Sequence, residues 1–158
     1  MLRLATPSCA PALPSRRAAL RPATTCAALD APRGRVVWLD FWAYWCGPCR
    51  LSFPWMDAMQ SRFGAHGLQV LAVNLDATPE PARRFLAEHP ASFAVGFDPS
   101  DDTARRFSVK AMPTPVLIGA DGRVLATHAG LRDADRDALE ATIRDALARR
   151  TASAGGTR

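Results

Sequence analysis

The sequence lacks any apolar run approaching the roughly 18 residues of a membrane helix. It has no second C-x-x-C and no H-x-x-x-H to complete the four ligands of a structural zinc site. Arg50, not histidine, follows the C-x-x-C, so covalent haem attachment is excluded. Residues 1–35 are nearly free of acid, with six arginines against Asp30 alone. The net charge of +5 therefore belongs to that segment, because the fourteen basic and fourteen acidic residues that follow cancel. With no cationic cluster on the part expected to fold, a nucleic-acid groove is not expected. The cysteines are not spread through the chain as a disulfide framework would require. Cys9 and Cys26 lie in the N-terminal segment and read as incidental thiols, whereas Cys46 and Cys49 sit in WCGPC, inside the most apolar stretch.

A chain of 158 residues, about half of them apolar, can bury one core. Residues 1–34, rich in Ala, Pro and Arg, show neither helical nor strand periodicity and read as a disordered or targeting tail. The apolar run of a secretory signal is cut short by Arg21 and Pro22, and an organelle transit peptide or a misassigned start fits equally. Residues 35–150 form the expected domain and 151–158 a polar, Gly-rich tail.

Within the domain, Val36–Trp42 reads as a buried central strand with one anomalous charge, Asp40. A helix follows to about Phe63, with Phe53, Met56, Met59 and Phe63 on its inner face and a kink expected at Pro54. Leu68–Val73 is a second buried strand and Pro79–His89 a second helix with Phe85 and Leu86 inward. Phe93–Phe97 is a short strand, and Ser100–Phe107 a short helix with Ser100 as its N-cap. Val116–Ile118 and Val124–Thr127 form a hairpin about Asp121-Gly122. A last helix from Asp133 to Arg150 repeats Leu139, Ile143 and Leu147 on one face, with acids at its start and Arg149 and Arg150 at its end. The order β-α-β-α-β-α-β-β-α predicts an α/β sandwich with a mixed central sheet flanked by helices.

A strand that feeds C-x-x-C directly into a helix places Cys46 at the helix N-terminus, where unpaired N–H groups favour a thiolate. The thiolate is the nucleophile of disulfide exchange, and Cys49, one turn on, is the partner that resolves the mixed disulfide. Gly47-Pro48 keeps the loop compact. A lone carboxylate in a core strand is costly to ionise, so Asp40 is expected to have a raised pKa and to exchange a proton with Cys49.

The set FWAYWCGPC, Asp40 on the preceding strand and Met112-Pro113-Thr114 resembles the thioredoxin superfamily. WCGPCRLSFP, the extra strand and helix at about 93–107 and PTPVLIGADGRV are most similar to its TlpA/ResA-like exported reductases. The resemblance runs through about residues 36–149. It implies a thioredoxin fold and an oxidoreductase whose only redox group is the Cys46–Cys49 disulfide, with no cofactor. It further implies a cis-proline at Pro113, with Met112 offering its backbone to substrate. Trp45, Gly47 and Pro48 complete the implied substrate surface; Trp42 and Trp45 also read as packing residues. Disulfide-bearing protein substrates are implied, as is a thiol donor, either a membrane thiol-transfer protein or thioredoxin reductase. A monomer in the bacterial periplasm or anchored on the membrane's outer face is implied, with the cytoplasm as alternative. Two departures bear on proton transfer: Ser52 stands where many such reductases have glutamate, and Ala72 where thioredoxins usually have lysine. The N-terminal hairpin common in TlpA-like proteins is expected to be absent. Oxidase or isomerase action on the same fold, and a non-catalytic binding role, remain open. Peroxide reduction lacks its Thr-containing loop.

Overall fold

The computed structural model describes residues 34–155; the calls on Cys9, Cys26 and the rest of the N-terminal segment lie outside them. Five strands form one sheet in the order β3-β2-β1-β4-β5: β1 Val36–Trp42, β2 Leu68–Asn74, β3 Ala94–Phe97, β4 Val116–Ile118 and β5 Val124–Thr127. β1, β2 and β3 are parallel, while β4 and β5 run antiparallel to their neighbours. The sheet is thus mixed, as the element order predicts.

Helix α1 (Gly47–Leu51) and helix α2 (Phe53–Phe63) connect β1 to β2, and α3 (Glu80–Glu88) connects β2 to β3. Both crossovers step the same way along the sheet, and connections of one hand then place their helices on one face. The long α5 (Arg136–Gly155), entered through a single 3-10 turn at Asp133–Asp135, joins them there. Trp38 and Trp42 from β1 meet Met56 of α2, Phe85 of α3 and Ile143 of α5 in one cluster that also holds both cysteines. The opposite face buries Val37, Leu39 and Phe41 beneath the short α4 (Asp102–Arg106) and its flanking loop, with Phe41 and Phe107 rings 5.9 Å apart. Every residue of β1 is buried, so its two faces serve two cores.

Three local expectations need correction. The helix after the cysteines does not bend at Pro54 but breaks just before it, at Ser52, and Pro54 sits in the first turn of α2 where no donor is required. Ser100 is not the N-cap of α4. The cap position is Asp101, in the left-handed region at φ 57°, and the helix's orphan Thr103 N–H donates instead to the Asp98 carboxylate at 2.7 Å. An ionised acceptor makes the stronger bond, and Ser100 is left to donate its own hydroxyl to Asp98 at 2.7 Å. Finally, α5 continues to Gly155, five residues past Arg150. Arg150 is therefore a mid-helix side chain, and it ties α5 to the Gly34 and His66 carbonyls beside the start of β1.

Candidate active site

β1 ends at Trp42, and the chain turns through Ala43–Cys46, closed by the Cys46 N–H on the Ala43 carbonyl at 3.1 Å. Cys46 is then the N-cap of α1, with extended φ and ψ, and its Sγ accepts the Cys49 N–H at 3.3 Å. The two sulfurs are bonded at 1.98 Å, with Cα atoms 5.3 Å apart. They are not equivalent: Cys46 retains 6% exposure and Cys49 none. Of the two cysteines, only the first reaches the surface. Pro48 is exposed and Gly47 half-buried at the same edge.

Trp45 does not pack. It is 71% exposed, next to half-open Tyr44, which corrects the expectation that it belongs to the core. Trp42 does pack, with its ring 4.8 Å from Phe53 and 5.6 Å from Phe85. The Met112–Pro113 peptide is cis. Pro113 is buried and its carbonyl accepts the Gly130 N–H at 2.9 Å, while Met112 packs against the cluster holding the cysteines. No backbone group among the described residues bonds the Met112 N–H or carbonyl.

Asp40 shares a face of β1 with Trp38 and Trp42, and Ala72 is its directly paired residue on β2. No cation is supplied from that position. Asp40 is 1% exposed, and among the described residues neither carboxyl oxygen has a hydrogen-bond partner. Burial pushes its pKa from 3.8 up to about 7; the nearby Phe41 backbone and Ser52 hydroxyl pull it partly back. Ser52 is itself buried, and its hydroxyl donates to the Cys49 carbonyl at 2.6 Å. It therefore stands between the acid and the second cysteine's backbone.

Sequence reasoning missed the support of the active-site turn. Asp76, just past β2, accepts the Tyr44 N–H at 2.9 Å and the Asn74 amide at 2.8 Å. Asn74 returns the contact by accepting the Asp76 N–H at 3.1 Å. Both are buried. The available signal was two polar residues in NLD at the end of an otherwise apolar strand, where a solvent-facing loop would be the default reading.

A family model described as Redoxin matches residues 7–143, reaching into the segment read above as a tail. Thiol-disulfide oxidoreductase ResA of Bacillus subtilis is 30% identical over 98 residues, covering 62% of this chain and 55% of that protein. The chain spans about half the length of the curated relatives it matches. Among solved structures, a chain from Chlorobium tepidum assigned as thiol:disulfide interchange protein DsbE is 53% identical, with TM-score 0.74, covering 80% of this chain and 90% of that one. The exposed lipoprotein thioredoxin Etrx1 of Streptococcus pneumoniae is 26% identical, with TM-score 0.66 and coverage of 74% and 89%. The mixed five-stranded sheet with its helices is the thioredoxin fold of these neighbours. The chain belongs to the redoxin family, among the ResA/TlpA-like members of the thioredoxin superfamily.

Proposed function

We propose that this protein is a thiol–disulfide oxidoreductase that reduces disulfides of polypeptide clients. The observation that carries the reading is the asymmetric Cys46–Cys49 disulfide, one sulfur reachable and one enclosed, at a strand-to-helix junction. In the reduced protein the Cys46 thiolate attacks one sulfur of the client disulfide. The client S–S bond breaks, and its other sulfur leaves as a thiolate that takes a proton from water. Cys49 then gives its proton to the Asp40 carboxylate and attacks Cys46 Sγ. The mixed disulfide breaks, the Cys46–Cys49 bond forms, and the second client sulfur leaves as a thiolate that takes up, through solvent, the proton Asp40 gives back. Two electrons have passed to the client, with one proton from Cys49 and one from water.

Asp40 suits this role because a base with a pKa near 7 is about half ionised at neutral pH and still has driving force for the transfer. The sulfur pair carries both electrons, and the reading calls for no bound cofactor. The unbonded Met112 backbone offers strand-like pairing to an extended client, and Trp45, Gly47 and Pro48 give the apolar edge around the reacting sulfur. The reducing direction is supported by Gly47-Pro48 between the cysteines, which resembles the pair in thioredoxin.

A dithiol donor must restore the pair by the reverse exchange. An outward-facing site served by a membrane thiol-transfer protein accords with the exposed lipoprotein among the structural neighbours. A cytoplasmic site would draw on thioredoxin reductase. Among the described residues no helix is long and apolar enough to cross a membrane. The site is complete within one chain, and the protein is proposed to act as a monomer.

The test is trapping. Reduced Cys49→Ser protein, mixed with a peptide disulfide, is expected to accumulate a stable mixed disulfide through Cys46, and Cys46→Ser protein none. Equal trapping by both variants would overturn the assignment of roles. The opposite reading, an oxidase or isomerase, uses the same sulfurs and differs in potential.

A further inference from the structure

Beside the disulfide an open groove of about 730 Å³ separates two helical walls. One wall is Gly47, Arg50 and Leu51 of α1, and the other is the end of α3 with Pro90. Its floor is apolar, made by the buried rings of Phe53 and Phe85, 5.2 Å apart. Leu51 stands on the rim, 73% exposed. The volume lies within the usual range of ligand clefts.

The charges on this rim are unusual. The Arg50 guanidinium lies 5.5 Å from the Tyr44 ring centre and 5.9 Å from that of Phe85, held by two aromatic rings rather than by a carboxylate. Among the described residues Arg50 makes no ion pair. Across the groove Glu88 likewise makes no ion pair among the described residues. Asp57, the other lining acid, is already engaged by the Ser92 N–H and hydroxyl at 2.7 and 2.6 Å. A fixed guanidinium with free donors is suited to a carboxylate.

The groove adjoins the redox centre through Gly47, the residue after Cys46, which lines its edge. A polypeptide joined to Cys46 by a disulfide advances about 3.3–3.6 Å per extended residue, which brings its next side chains over this floor. We propose that the groove is a subsite for the residues flanking the client's half-cystine, taking a large apolar side chain over Phe53 and Phe85 and a neighbouring carboxylate on Arg50. The inference rests on the reading that Cys46 attacks a polypeptide disulfide, and it adds a sequence preference to that attack.

The experiment measures the second-order rate of Cys46 attack in reduced, full-length Cys49→Ser protein. The substrates are short peptides whose single cysteine is a mixed disulfide with 2-mercaptoethanol, flanked by Leu-Glu, Leu-Lys or Gly-Glu. Leu-Glu is expected to react roughly tenfold faster than Gly-Glu, the scale of apolar side-chain discrimination. It should outpace Leu-Lys by about fivefold, the scale of an exposed charge pair. Arg50→Glu should reverse the Glu-over-Lys ratio, and Glu88→Lys should enlarge it. Because the readout is a ratio between peptides, a change in the intrinsic rate of a variant does not imitate the effect. Equal rates for all three peptides, alongside rapid attack on bis(2-hydroxyethyl) disulfide, would overturn the subsite and leave the redox reading intact. No attack on any disulfide would overturn both. A dimer in sedimentation with no peptide preference would assign the groove to a second copy and overturn the proposal.

Discussion

The two faces of β1 are equally buried and differ in what they bury. Val37, Leu39 and Phe41 face a core with no polar side-chain atom left unpaired on the strand. Trp38, Asp40 and Trp42 face the cysteines, and among the described residues nothing bonds their indole N–H groups or carboxyl oxygens. Unpartnered buried polar atoms cost stability, so the second face is held at a disadvantage that the first does not share. The comparison separates what holds the fold from what tunes the site. One face of a single strand is optimised for packing, and the other keeps a carboxyl in surroundings that shift its proton affinity toward neutrality.

The largest expected effect is on the packing face. Leu39→Ala should lower the unfolding free energy by about 4 kcal/mol, as buried leucine truncations do, measured by denaturant titration. It should leave the pH profile of mixed-disulfide resolution unchanged. A changed profile would show that the two faces are not independent.

Asp40→Asn should do the reverse. Between about pH 4 and pH 7 the folded protein holds a proton on Asp40 that the unfolded chain releases. Wild-type stability from this group is therefore full below about pH 4 and falls as pH rises through 7. The variant, freed of that dependence, should be about 4 kcal/mol more stable than wild type at pH 8 and no more stable at pH 4. Its resolution step should slow by about a hundredfold and lose the inflection near pH 7. A variant with lower stability at pH 8 would contradict the account of this face.

A smaller effect belongs to the support of the turn. Asp76→Ala removes the acceptor of the Tyr44 N–H and the Asn74 amide and should cost about 2 kcal/mol. The rate of Cys46 attack should fall several-fold with the far-ultraviolet spectrum intact. An unchanged rate would show that the turn holds its shape without Asp76.

Much of this was legible because the signals were local. Val36–Trp42 and the Val116–Ile118 and Val124–Thr127 hairpin strands match their observed bounds, since unbroken apolar runs and an Asp-Gly turn leave little freedom. Asp40 stood out as one charge in such a run. What was not legible depends on partners distant in sequence or on competition between acceptors. Asp76 reaches back 32 residues to Tyr44. Asp98 displaces Ser100 as the acceptor at α4 because its charge makes the stronger bond. The Phe53–Phe85 floor exists only once α2 and α3 share a face. For Trp45 only the packing reading fails, because the tight turn at Ala43–Cys46 turns it outward, where its place at the edge of the site requires it.

Whether the Cys46–Cys49 pair works as a reductant is decided by its equilibrium reduction potential. The pair would be titrated in a glutathione or dithiothreitol buffer and read by tryptophan fluorescence. The expected value is near −270 mV, where thioredoxin lies. A value of about −120 to −180 mV would contradict it and make the pair an oxidant or isomerase centre built on the same sulfurs.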